Sequence, residues 1–246
     1  MNLLVCVSKT PETTAKIAFT NDNTAYDSNG VNFIMNPYDE WYALVRAIEL
    51  KEANGGKVTI VNVGDASNDI IIRKGLAIGA DEAVRIDATP TSAYETAAMI
   101  ADYARDKGYD IIFTGKESID YNGSQMGGIL AEMLDLPYIS YATSLEVAGT
   151  TSTLTREIEG GAETLEVDGA FVVSAAKGMA EQRIANMRGI MMAKRKPLEV
   201  VSPTALSSKV ETVSFALPDE KGGVKMMQPD DMDELVRLLH EEAKVI

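Results

Sequence analysis

One cysteine and one histidine in 246 residues leave no material for a disulfide framework or a Cys/His metal site. Long hydrophobic runs are missing too. Stretches such as Ile70 to Ile72 fall far short of the ~20 apolar residues that a membrane-spanning helix needs. The opening MNLLVCVSK has no basic n-region and is too brief for a signal peptide, so it reads as a buried first strand. Together these absences point to a reducing cytoplasm and to no membrane insertion. Positive charge is scarce: 23 Lys and Arg stand against 37 Asp and Glu, a net charge of −14. That balance argues against nucleic acid as a partner, because neutralising phosphates needs a basic face. The one basic cluster, Lys194-Arg195-Lys196, reads as the C-terminal end of a helix, where the dipole favours cations.

Catalytic and nucleotide signatures are also absent. There is no GxxxxGK[ST], no GxGxxG after the first strand and no GxSxG elbow. His240 lies among acids near the C-terminus and reads as a solvated surface residue. Cys6 reads as a small core residue. No base, nucleophile and orienting group assemble, so the chain is expected not to be a self-sufficient enzyme.

What is present is alternation. Leu3–Val7, Val58–Val63, Ala83–Ile86 and Asp110–Thr114 are short β-rich runs of the kind that parallel sheets bury on both faces. Between them lie helical periods, with Trp41, Leu44, Val45 and Ile48 on one face and Tyr94, Ala97, Ala98 and Ala101 on another. Asn36-Pro37-Tyr38-Asp39 supplies a cap residue, then proline at the first helical position, then an acid. Ser92 with Glu95 has capping-box spacing, and Gly79 suits the end of a helix begun near Ser67. The fold class predicted is α/β, a Rossmann-like parallel sheet with flanking helices. After Pro137, Ile139–Val147, Ser152–Ile158 and Glu163–Val167 read as sequential strands joined by glycine turns, a β-hairpin insertion. Ala170–Ser174 returns to the main sheet, Lys177–Asn186 is a loop, and a short helix covers Met187–Lys194. The domain predicted is therefore 1–199, including a loop-and-helix segment at 177–196. Residues 200–246 offer one alternating strand (Val213, Phe215, Leu217) and one amphipathic helix capped by Asp230 or Asp231. Such a pair cannot bury its own apolar faces and reads as an arm, packed either on a partner or back on its own domain.

Open parallel sheets bind ligands beyond the C-terminal ends of their strands. Three loops should meet there: Ser8–Ala18, Gly64–Ser67 and Gly115–Gly123. The third is the most informative. In TGKESIDYNGSQMGG (114–128), Gly115 lets a ligand approach the backbone, and Asn122 or Ser124 starts a helix whose free N–H groups suit an anion. Asn122 with Gln125 repeats capping-box spacing, and Gly127 and Gly128 allow close approach to a ligand or to the sheet. The same strand–glycine–helix junction also occurs without a ligand.

Four segments in register resemble the β subunit of electron transfer flavoproteins: VNFIMNPYDEWYAL (31–44), TGKESIDYNGSQMGG (114–128), LTREIEGGAETLEV (154–167) and IANMRGIMMAKRKP (184–197). The second fits that family's GKxxIDxxxxQxG loop. The resemblance implies an adenine nucleotide α-hydrolase-like domain that binds AMP structurally. It implies a heterodimer with an α subunit holding most of the redox FAD, and an arm wrapped on that partner. Electrons would pass from acyl-CoA dehydrogenases or similar flavoenzymes to the electron transfer flavoprotein–quinone oxidoreductase. Carried over by position, the AMP would be lined by Cys6, Asn36, Pro37, Tyr38, Asp39, Val63, Gly115, Lys116, Glu117, Ser118, Ile119, Asp120, Tyr121, Asn122, Gly123, Ser124, Gln125 and Met126. Met187 stands where the family's recognition loop has its anchoring leucine, and Arg188 where that loop often has proline. Glu12 and Thr13 fall near the isoalloxazine edge, where a tyrosine is common. Tyr121 to Ser124 depart from the family's familiar forms, one of which, in an electron-bifurcating branch, binds a second FAD together with NADH. That branch is one alternative; an ATP-binding regulatory or stress-type domain is another, of a different class.

Overall fold

A computed structural model describes residues 1–206, 208–220 and 222–246. Thirteen strands are formed among them: β1 Asn2–Cys6, β2 Lys9–Pro11, β3 Phe19–Thr20, β4 Ala25–Tyr26, β5 Phe33–Met35, β6 Lys57–Val63, β7 Glu82–Ile86, β8 Ile111–Gly115, β9 Tyr138–Ala148, β10 Thr151–Ile158, β11 Gly161–Asp168, β12 Phe171–Ala175 and β13 Leu198–Val201. The helices are α1 Asp39–Asn54, α2 Asp69–Ile78, α3 Ala93–Ala104, α4 Met126–Leu134, α5 Met187–Ala193 and α6 Met232–Arg237. The chain forms two compact units, Met1–Ser214 and Phe215–Ile246.

The first unit is built on a nine-stranded sheet in the order β11-β10-β9-β12-β8-β1-β6-β7-β13. Its six central and edge strands from β12 to β13 run parallel, as does the β9–β12 pair. Period-two alternation divides each central strand between two cores. Leu3 and Val5 of β1, Ile111 and Phe113 of β8, and Phe171 and Val173 of β12 enter the core beneath α1 and α2. Leu4, Cys6, Ile112 and Val172 enter the core beneath α3 and α4. The α/β class expected from the alternation is the fold observed. β9, β10 and β11 form the antiparallel meander expected after Pro137, and it extends the main sheet instead of standing apart.

Chain order fixes where a ligand can sit. From β1 the chain moves outward through β6 and β7, then returns to the other side of β1 to form β8. The exits of β1 and β8 flank that switch point, the place where open α/β sheets form a ligand crevice.

Several local readings differ from the structure. β13 lies in a stretch that carries little core-forming pattern, yet it pairs parallel with β7 at the sheet edge. Residues 213–217 form no strand. Two small antiparallel pairs, β2–β5 and β3–β4, fold the segment between β1 and α1. In the second unit α6 continues into a π-helical turn, Leu238–Glu242, and Asp231 precedes it without a side-chain cap. Arg237 there is paired with Glu234 at 2.6 Å and Glu241 at 2.9 Å.

Candidate functional site

The crevice is assembled around the start of α1. Asn36 is fully buried, but it does not cap the helix as its spacing suggests. The N-cap is Tyr38, held at φ 63° with no side-chain cap. Asn36 instead reaches the loop after β8: its amide donates to the Glu117 carbonyl at 3.1 Å, and its oxygen accepts from the Ile119 amide at 3.1 Å. A residue with local capping chemistry thus serves a contact more than eighty positions away. Beside it, Glu40 of the first turn is buried, and its carboxylate accepts from the Ser8 amide at 2.6 Å and the Ser8 hydroxyl at 2.7 Å. Ser8 is where the chain leaves β1. The start of α1 therefore ties together the exits of both strands that flank the switch point.

Gly115 is needed for this arrangement. A Cβ there would sit 2.9 Å from the Glu40 backbone nitrogen and 2.8 Å from its Cγ, so the helix, in place of a ligand, occupies that space. Gly127 has a similar cause: a Cβ would meet the Tyr138 ring at 2.6 Å. The Tyr138 hydroxyl donates to buried Ser174, which also accepts from the Tyr141 amide and holds that residue at φ 57°.

The loop from Lys116 to Gln125 lies over this base. Lys116 pairs with Glu117 at 3.2 Å, Ser124 donates to Glu117, and the Asn122 amide closes a turn on the Ser118 carbonyl. Asn122 and Ser124 are left-handed, with φ of 48° and 50°, so neither begins the helix. α4 starts at Met126, and Gln125 before it provides no side-chain cap. The first turn of α4 therefore has no side-chain cap, the kind of helix start that suits an anion. Asp120, Tyr121, Asn122, Gly123 and Gln125 are exposed, and nothing but Gln125 approaches a Cβ placed on Gly123. Pro37, Tyr38 and Asp39 lead into α1, where Asp39 Cβ would stand 3.2 Å from a Cβ on Gly115. Cys6, Val63 and Met126 contribute to the core beneath α3 and α4, under the crevice floor.

Burial raises the thiol and two carboxyls at the base of the crevice, and the loop above them is acidic. Burial pushes the Cys6 thiol well above its usual range, and Glu40 nearby adds to that, so it is no nucleophile. Burial raises Asp39, with Lys116 opposing. Burial alone would raise Glu117 as well, but Lys116, Asn122 and Ser124 hold it below the ordinary carboxylate value. Glu40 is pushed up to about 7 by burial, against the hydrogen bonds of Ser8 and Asn36. Sequence reasoning had missed Glu40. The available signal was an acid directly after the MNPYD segment, which is indistinguishable from an ordinary helix-start carboxylate.

A second surface lies on the segment after β12. α5 is capped by Asn186, whose side chain accepts from the Gly189 amide at 2.8 Å. Its first turn presses on the end of α2, where a Cβ on Gly189 would stand 2.3 Å from the Ala77 carbonyl oxygen. Arg73 donates to the Ala193 and Lys196 carbonyls, and Lys196 donates to the Leu76 and Ala80 carbonyls. The basic cluster thus answers the C-terminal end of α2, not only its own helix. Arg183 grips Glu52 through two bonds, and the Trp41 indole donates to the Arg183 carbonyl. On this fixed base Met187 is 75% exposed, with Ile184, Arg188 and Met191 also exposed. Glu12, in the turn after β2, accepts from Asn32.

Comparison with known proteins agrees over the full length. The electron transfer flavoprotein domain model matches residues 24–206. The chain is 36% identical over 260 residues to the electron transfer flavoprotein subunit beta of Bacillus subtilis (strain 168), covering 100% of both chains. The corresponding subunit of Syntrophomonas wolfei is 36% identical over 229 residues, covering 92% of this chain and 90% of the relative. That of Homo sapiens is 32% identical over 243 residues, covering 94% and 95%.

Proposed function

The chain belongs to the electron transfer flavoprotein family, as a β subunit, and from that premise we propose that its switch-point crevice holds AMP as a structural ligand. The observation that carries this reading is the pair of hydrogen bonds from Asn36 to the 117–119 loop, which fixes the loop ahead of the uncapped start of α4. Backbone amides of α4 would face the phosphate, and Gly123 leaves open space on the loop. Cys6 and Val63 would serve through backbone and shape, since neither brings a polar side chain to the site.

The chain acts as one half of a heterodimeric electron carrier and not as a self-sufficient enzyme. FAD, held mainly by the α subunit, supplies the redox chemistry. The β chain shapes that assembly and presents Met187 and Arg188 to acyl-CoA dehydrogenases or similar donors. Methionine suits this role because its flexible, polarisable side chain adapts to different pockets. Delivery to a membrane quinone oxidoreductase and a cytoplasmic location complete the reading; among the described residues no helix is long and apolar enough to cross a membrane. Of the arm expected at 200–246, Val200 and Val201 pair with β7 of this chain, and the part beyond β13 packs on the α subunit. In the unit Phe215–Ile246, Leu238 is the one buried apolar side chain described, whereas Leu217, Val224, Met226 and Val236 are exposed.

Co-expression with the α subunit tests the proposal. The heterodimer should release one FAD and one AMP on denaturation. Two FAD and no AMP would identify the bifurcating alternative, in which the crevice takes a second flavin.

A further inference from the structure

The first turn of α1 bears a group for which neither the AMP reading nor electron transfer has a use. Glu40 is 8% exposed and touches the exits of both strands. Both its oxygens are taken by Ser8 at the end of β1, while its backbone and Cγ close on Gly115 at the end of β8. The titratable groups that act on it are Cys6 of β1 and Asp120 of the loop after β8, and Asp39, Lys116 and Glu117 form a mutually interacting group beside them. Four carboxylates thus share the crevice with Lys116, in a place proposed to hold an anion.

We propose that Glu40 is a positioning residue of the nucleotide crevice, and that its charge sets how tightly an anionic nucleotide is held. This rests on the reading of the crevice as an AMP site. The geometric part follows from the two Ser8 bonds, which hold the β1 exit against α1 while Asn36 holds the β8 loop against the same helix. The charge part follows from Coulomb repulsion: an ionised Glu40 would add to the carboxylates beside the place proposed for the phosphate. Burial pushes its carboxyl up to about 7, so its charge changes across the neutral range instead of being fixed. By linkage, the neutral form favours the bound anion, and AMP is held more tightly as pH falls through that value.

Glu40→Gln separates charge from geometry. The amide oxygen can accept from the Ser8 amide while its NH₂ donates to the Ser8 hydroxyl, so both bonds survive without a charge. Glu40→Ala removes both. The test is the release rate of labelled AMP from the heterodimer at pH 6 and pH 8, compared between variants so that titration of the phosphate itself cancels. Glu40→Gln should hold AMP at pH 8 about fivefold longer than wild type and match it at pH 6, the scale of one screened repulsion. Glu40→Ala should release faster at both pH values. Parallel pH profiles for wild type and Glu40→Gln would overturn the charge part, and an Ala variant matching wild type would overturn the positioning part. Hydrogen-exchange mass spectrometry of peptides covering 5–11 and 115–121 reads positioning independently of ligand: exchange should quicken in Glu40→Ala and stay unchanged in Glu40→Gln. If wild type carries no AMP, the site reading fails while the exchange data still decide whether Glu40 positions the loops.

Discussion

Asn36 bonds through both ends of its amide to one loop, and that loop is the proposed binding element. Truncation to alanine would leave the Ile119 N–H and the Glu117 carbonyl without partners in a part-buried place. An unsatisfied group of this kind costs about 1–3 kcal/mol. Asn36→Ala should therefore lower the stability of the chain by about 2 kcal/mol in urea unfolding and empty the crevice of AMP, with FAD content of the heterodimer unchanged. Retention of AMP at the wild-type level would show that the loop does not depend on this anchor. The sequence marks Asn36 only as a residue before proline, and local rules make it a helix cap. Its true partners stand 81 and 83 positions away, which no local pattern can show. Asn122 and Ser124 mislead in the same way. Both have capping chemistry, but their left-handed backbone belongs to the loop and not to a helix start.

Among the elements, α5 is short, yet it is fixed more firmly than its seven residues suggest. Asn186 caps it, Gly189 seats it on α2, and Arg73 and Lys196 tie its far end to the same helix. A rigid platform with exposed Met187 and Met191 suits docking, because little ordering cost remains to be met on association. Met187→Asp should slow reduction of the heterodimer by a dehydrogenase at least tenfold, as expected for a buried apolar anchor replaced by a charge. Flavin content and melting temperature should not change; loss of flavin would make the segment structural. This helix and its loop were legible in the sequence, as were the β-rich runs of β1, β6, β7 and β8, because each carries its own periodicity and end signals. β13 was not. Its four residues are held at the edge by pairing with β7, and a partly exposed edge strand leaves no continuous apolar run to detect.

For the whole molecule, topology assigns the labour. The return of the chain from β7 to β8 creates the switch point, and α1 closes on it with Asn36 and Glu40. The central claim is that the nucleotide there stabilises the subunit while electrons travel on a flavin held mainly by another chain. A ligand that binds only the folded state adds about 2.7 kcal/mol at a hundredfold excess over its Kd. The direct test is to unfold the heterodimer, refold it with FAD in the presence or absence of AMP, and measure thermal unfolding and the rate of flavin reduction on the same samples. Without AMP the protein should melt at a lower temperature, recover when AMP is added, and accept electrons at the same rate per bound flavin. Equal melting temperatures with electron transfer lost in the AMP-free sample would contradict the account.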